Sequence, residues 1–129
     1  MQNLQVFKTK YTLEVDCSVD TGVIKMSGSS YPENAIEFFQ PLFDWLEIYI
    51  SEIGKEIILD LKLNYLNTSS SKCILDIMDI LENYQKSNGK VQINWYYEED
   101  DEDILETGEE FAEDTKLKFN LISYQVSKE

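Results

Sequence analysis

Residues 55–66 read Lys-Glu-Ile-Ile-Leu-Asp-Leu-Lys-Leu-Asn-Tyr-Leu. Ile57, Leu59, Leu61, Leu63 and Tyr65 alternate with Ile58, Asp60, Lys62, Asn64 and Leu66, which is the period of a strand with one buried face. Its length predicts a central strand. The residues that follow set the fold class. Asn67-Thr68-Ser69-Ser70-Ser71-Lys72 breaks the alternation, and Ile74, Ile77, Met78, Leu81 and Tyr84 then recur at helical spacing. Ser87-Asn88-Gly89 closes that helix. Val91, Ile93 and Trp95 alternate with Gln92, Asn94 and Tyr96, another strand. An acidic stretch over Glu98–Asp114 follows, and Lys118–Val126 reads as the last strand. Strand, helix, strand, helix, strand predicts a part-parallel sheet with right-handed crossovers.

Upstream, Leu4–Phe7, Tyr11–Val15 and Val23–Met26 read as short strands, with Asp20-Thr21-Gly22 as a turn. They predict an antiparallel meander. Ser30 and Glu33 have capping-box spacing, with Pro32 where a first helical turn accepts proline. A helix is predicted from Glu33 to about Ile53, with Ile36, Phe39, Phe43, Leu46 and Ile50 as its apolar stripe. Phe38, Leu42, Trp45 and Tyr49 widen it. Pro41 lies inside and predicts a kink or break near Gln40, and Gly54 ends the helix. The order is β-β-β-α-β-α-β-α-β. The expectation is one α/β domain over residues 1–129, with a mixed sheet of five to six strands and about three helices.

Composition narrows the function. Acids outnumber bases 25 to 11, the formal charge is −14, and histidine is absent. No basic footprint exists for nucleic acid or for an anionic membrane. Ser-His-Asp and Cys-His nucleophiles are impossible, as is histidine-ligated zinc or haem. No cofactor is expected. No apolar run approaches the ~20 residues that span a bilayer, and no signal peptide is visible after Met1, so the reading is a soluble cytoplasmic protein. Cys17 and Cys73 read as buried thiols, with the acids around Cys17 raising its pKa.

Two features stand above this background. Glu98–Asp114 holds 11 acids in 17 residues and no base. Ile104, Gly108 and Phe111, with Leu105 and Ala112 beside them, are at helical spacing, so the simple reading is a solvated amphipathic helix. A partner-binding surface is a sharper reading, and a small enzyme using bound metal or a carboxylate pair is another. An EF-hand fails, because counting from Asp101 puts Leu105 at a ligand position and Glu106 where glycine is required.

The second feature is Asn67-Thr68-Ser69-Ser70-Ser71. One such residue suffices to cap a helix, and five exceed that need. A helix N-terminus suits a phosphate, because it offers free N–H donors and partial positive charge. The glycines and Gly-Lys pair of a nucleotide-binding loop are missing. A covalent phosphate is the functional reading and capping alone the structural one. Chemistry by itself leaves Ser69, Ser70 and Ser71 open as acceptors beside Thr68.

The chain resembles the SiaC-like regulatory phosphoproteins, small bacterial proteins similar in architecture to the anti-sigma-factor antagonists of the STAS group. The resemblance rests on Gly28-Ser29-Ser30-Tyr31-Pro32-Glu33-Asn34-Ala35 running into Phe38-Phe39-Gln40-Pro41-Leu42 and Trp45-Leu46. It continues through Leu63–Lys72 and ends on Trp95-Tyr96-Tyr97 and Glu106-Thr107-Gly108-Glu109. It implies a STAS-like fold and reversible phosphorylation of the threonine in the Asn-Thr-Ser-Ser block, which is Thr68. It implies three partners: an anti-sigma-type kinase, a PP2C-like phosphatase and, in the best-known system, a diguanylate cyclase. There the unphosphorylated form activates the cyclase and promotes biofilm formation.

Overall fold

A computed structural model describes residues 1–126. Six strands form one sheet in the order of the chain: β1 (Leu4–Val6), β2 (Glu14–Cys17), β3 (Val23–Ser30), β4 (Ile57–Leu66), β5 (Val91–Glu98) and β6 (Lys118–Tyr124). β1, β2 and β3 pair antiparallel, and β3 to β6 are parallel neighbours. The crossovers are α1 (Ala35–Glu52), α2 (Thr68–Lys86) and α3 (Glu102–Glu113). Successive parallel neighbours joined by crossovers of one hand place every helix on the same face. The burial agrees: Ile24, Met26, Leu59, Leu61, Ile93 and Trp95 are sealed beneath the helices, while Lys25, Asp60, Lys62, Asn94 and Tyr96 occupy the other face. The last strand ends two residues earlier than its sequence pattern suggested.

The core lies between that sheet and the three helices, with Ile104 and Phe111 of α3 in the same cluster as the buried residues of α1 and α2. In α1 the buried residues are Ala35, Phe39, Leu42, Trp45, Leu46 and Tyr49. The stripe is therefore centred one position away from the sequence expectation, and Ile36 is 67% exposed. Trp45 stacks on Tyr49 at 5.1 Å, and its indole N–H donates to the Gln2 carbonyl at 3.0 Å, tying the N-terminal segment to α1.

Two expectations about α1 are corrected. Ser30 is not its cap. It ends β3, and the cap is Asn34, whose side-chain oxygen accepts the Glu37 N–H at 3.1 Å. Asn34 and Glu37 have the same cap spacing as Ser30 and Glu33, one turn later. Nor does Pro41 break the helix, which runs unbroken to Glu52. Proline in a helix interior costs about 3 kcal/mol, but Pro41 is on the solvent side. Burial of Phe39 and Leu42 beside it returns about 1.5–3 kcal/mol each. Gly54, at φ +63°, ends the helix by donating to the Tyr49 carbonyl.

β4 departs from strict alternation at one point. Gly28 pairs with Leu63 but Ser29 pairs with Tyr65, so Asn64 is an extra residue in a β-bulge. Gly28 takes φ +107°, which side chains rarely tolerate. The bulge turns Tyr65 out of the buried row and lays the half-buried Leu66 against the core instead.

Candidate functional site

The Asn-Thr-Ser-Ser-Ser tract leaves the C-terminal end of β4 and forms the first turn of α2. Asn67 is extended, at φ −78° and ψ 172°, and is the N-cap. Its backbone N–H donates to the Ser30 carbonyl at 2.9 Å, continuing the β3–β4 pairing. Its side-chain oxygen accepts the Ser70 N–H at 2.8 Å and the Ser69 hydroxyl at 3.2 Å. Its carbonyl accepts the Ser71 N–H at 2.9 Å, the first bond of the helix.

The four hydroxyls of the tract differ sharply in access. Ser70 is fully buried, and its Oγ lies 2.7 Å from the equally buried Oγ of Ser30. Ser71 is half-buried, Ser69 is exposed but held to Asn67, and Thr68 is exposed at the first helical position. Among the described residues no side-chain hydrogen bond holds the Thr68 hydroxyl. The first turn of α2 contains no acid, so its free N–H groups and partial positive charge face solvent uncompensated. Lys72 stands one turn further on and reaches Asp76 at 3.7 Å.

The acidic segment is the amphipathic helix α3. Ile104, Gly108 and Phe111 face the core and the acids face solvent. Asp101 caps it by accepting the Ile104 N–H at 3.0 Å. The Trp95 indole N–H donates to the Ile104 carbonyl at 3.0 Å, and a Cβ on Gly108 would lie 2.5 Å from the same indole. Among the described residues, no group of three or more acidic or cysteine side chains is arranged to hold a metal ion.

Both cysteines are free and buried. Burial, reinforced by the Asp16 carboxylate, pushes the Cys17 thiol up to about 12. Burial also raises that of Cys73, with Asp76 acting the same way and Lys72 opposing. Neither is a nucleophile near neutral pH. No helix of the described residues is long and apolar enough to cross a membrane.

One grouping is invisible in the linear sequence. Tyr11, Tyr31 and Tyr65 meet edge to face across three neighbouring segments, with ring centroids 5.2 Å and 5.8 Å apart. They come from segments about 20 and 34 residues apart, and Tyr65 joins them only through the bulge. The one available signal was Gly28 inside a strand.

Residues 6–124 match the model of the SiaC family of regulatory phosphoproteins. A protein of Pseudomonas aeruginosa strain UCBPP-PA14, itself uncharacterised, is 37% identical over 119 residues, which cover 92% of this chain and 94% of that one. The fold superposes on SiaC of Pseudomonas aeruginosa with a TM-score of 0.90 at 35% identity, covering 96% of this chain and all of the other. It is equally similar to SiaC in the crystal structure of the diguanylate cyclase SiaD with its activator SiaC, at TM-score 0.90 and 36% identity over 94% of this chain and 99% of that one. The six-stranded α/β domain described above, with its serine-rich first turn of α2, therefore belongs to the SiaC family of regulatory phosphoproteins.

Proposed function

We propose that this chain is a phosphorylation-controlled protein-binding switch rather than an enzyme, working in the cytoplasm. Thr68 is its phosphoacceptor. An anti-sigma-type kinase adds the phosphate, a PP2C-like phosphatase removes it, and the unphosphorylated form binds and activates a diguanylate cyclase. The observation that carries the reading is the contrast within one helical turn. Thr68 offers an exposed hydroxyl at an acid-free helix N-terminus, whereas Ser70 is sealed against Ser30 and Ser69 is held by the cap. The cyclase is suggested by the likeness to SiaC, which occurs as the activator in a complex with SiaD.

The phosphate acts at an interface and leaves the fold intact. It adds about −1.5 to −2 charges and three acceptor oxygens. Negative charge at a helix N-terminus stabilises by about 0.3–1 kcal/mol, so α2 does not melt. Burying the same dianion unmatched against a partner costs several kcal/mol. Intact-mass measurement of the protein from its native cells, with peptide mapping, tests the assignment. One phosphate on the peptide spanning Asn67–Lys72, at Thr68, is the expected result. A phosphate elsewhere, or none under any growth condition, refutes it.

A further inference from the structure

The uncovered face of the sheet ends, beside the first turn of α2, in the row Tyr11–Tyr31–Tyr65. These rings are 51%, 37% and 52% exposed. Parallel sheets are normally covered on both faces, and here β3 to β6 carry helices on one face only. Exposed tyrosines held in place by one another lose little freedom on binding, and tyrosine is enriched among residues that dominate interface energetics.

The charge around this row runs against that of the molecule. Segments 7–12, 27–32 and 63–72 converge there. Together they contribute Lys8, Lys10 and Lys72, three of the 11 bases, and none of the 25 acids, while Lys62 on the same strand turns away to lie over the Tyr124 ring. Lys10 Nζ lies 5.7 Å from the Tyr11 ring centre, and the Lys8 chain lies over Gly28. Glu14, Glu33 and Asp60 flank these segments, and Asp76 is occupied with Lys72.

We infer that this aromatic, acid-free end of the sheet is the docking surface for an acidic segment of the partner cyclase bearing apolar side chains, which rests on the reading of Thr68 as the switch. The tyrosines take the apolar side chains and the lysines take the carboxylates. The inference also gives the switch its sign. A phosphate on Thr68 puts negative charge on the rim of a cationic patch and offers Lys72, one turn along, a stronger partner than Asp76. Both effects disfavour an acidic partner, whereas a basic one would bind more tightly after phosphorylation.

The test is calorimetric titration of the full-length chain into its purified cognate cyclase at low and high salt, using wild type, Tyr31→Ala/Tyr65→Ala and Lys8→Glu/Lys10→Glu. Both double variants are expected to bind at least ~10-fold more weakly, the loss typical of an interface hot spot. Wild-type binding is expected to weaken as salt rises. The lysine variant alters only exposed side chains, so it remains decisive if the tyrosine variant loses thermal stability. Unchanged affinity in the lysine variant, or binding that strengthens with salt, overturns the inference. If phosphorylation still releases the cyclase while both variants bind normally, the switch stands and this surface is wrong. If wild type binds the cyclase in neither state, both readings fall.

Discussion

Ser30 Oγ and Ser70 Oγ share a hydrogen bond of 2.7 Å in complete burial, joining the end of β3 to the first turn of α2. The bond does two things. It fixes the helix start against the sheet, and it puts one of four candidate hydroxyls beyond the reach of any enzyme. Ser30→Ala or Ser70→Ala should each lower stability by about 1–3 kcal/mol, since each strands a buried hydroxyl. The double variant should lose less than the sum, because neither hydroxyl is then stranded. Urea denaturation of the four proteins measures this, and strict additivity would show that the two groups do not act as a pair.

Asn67 organises the same turn through three hydrogen bonds accepted by its side chain and carbonyl. Asn67→Ala should lose about 0.5–2 kcal/mol, the usual value of a lost N-cap. Asn67→Asp should retain it, as aspartate caps equally well. The same denaturation series separates the two.

Thr68→Asp should not destabilise the fold. A carboxylate in the first turn of α2 gains about 0.3–1 kcal/mol from the helix dipole, so the melting temperature should stay level or rise slightly. A fall of several degrees in a thermal melt would mean that charge at this position acts by unfolding α2.

The contact of Gly108 with the Trp95 indole leaves no room for a methyl group. Gly108→Ala should push α3 off β5 and cost about 1–3 kcal/mol as an overpacked contact. Tryptophan fluorescence should report the altered surroundings of Trp95 in the folded state. An unchanged spectrum and unchanged stability would show that α3 is not seated on this ring.

Burial raises the Cys17 thiol from an ordinary 9.0 to about 12. The folded state therefore holds a proton that the unfolded chain releases. The stability this contributes is fully present below pH 9 and is lost as the pH rises toward 12. Cys73, Tyr49 and Tyr84 are raised by burial too and act in the same direction. Stability measured against pH should fall on the alkaline side. Thiol reagents at neutral pH should label the native protein only as fast as it opens. Fast labelling of the native state would contradict the sealed position of Cys17.

Much of this was legible in the chain, for identifiable reasons. The alternation in residues 55–66 and 91–96, with a helical period between them, is enough for parallel neighbours, and the capping residues before α2 fixed where that helix starts. The misreadings share one cause, competition between local patterns. Ser30 and Asn34 both precede a glutamate by three, and only packing decides between them: Ser30 is claimed by Ser70. The stripe of α1 could be centred on Ile36 or Ala35, and the sheet selects Ala35 because Phe39, Leu42 and Leu46 follow on the same face. Tyr65 fits the buried row of β4 until a bulge removes it, and the pairing that makes the bulge involves β3. The tyrosine row needs three distant segments at once, so no window of sequence contains it.

The central claim is that phosphate on Thr68 releases a partner by changing charge at an interface. The direct measurement is calorimetric titration of the cognate cyclase with the chain unphosphorylated and with the chain fully phosphorylated by its kinase. A penalty of several kcal/mol at about 1.4 kcal/mol per decade predicts at least ~100-fold weaker binding by the phosphorylated form. Equal affinities, or tighter binding after phosphorylation, would contradict it.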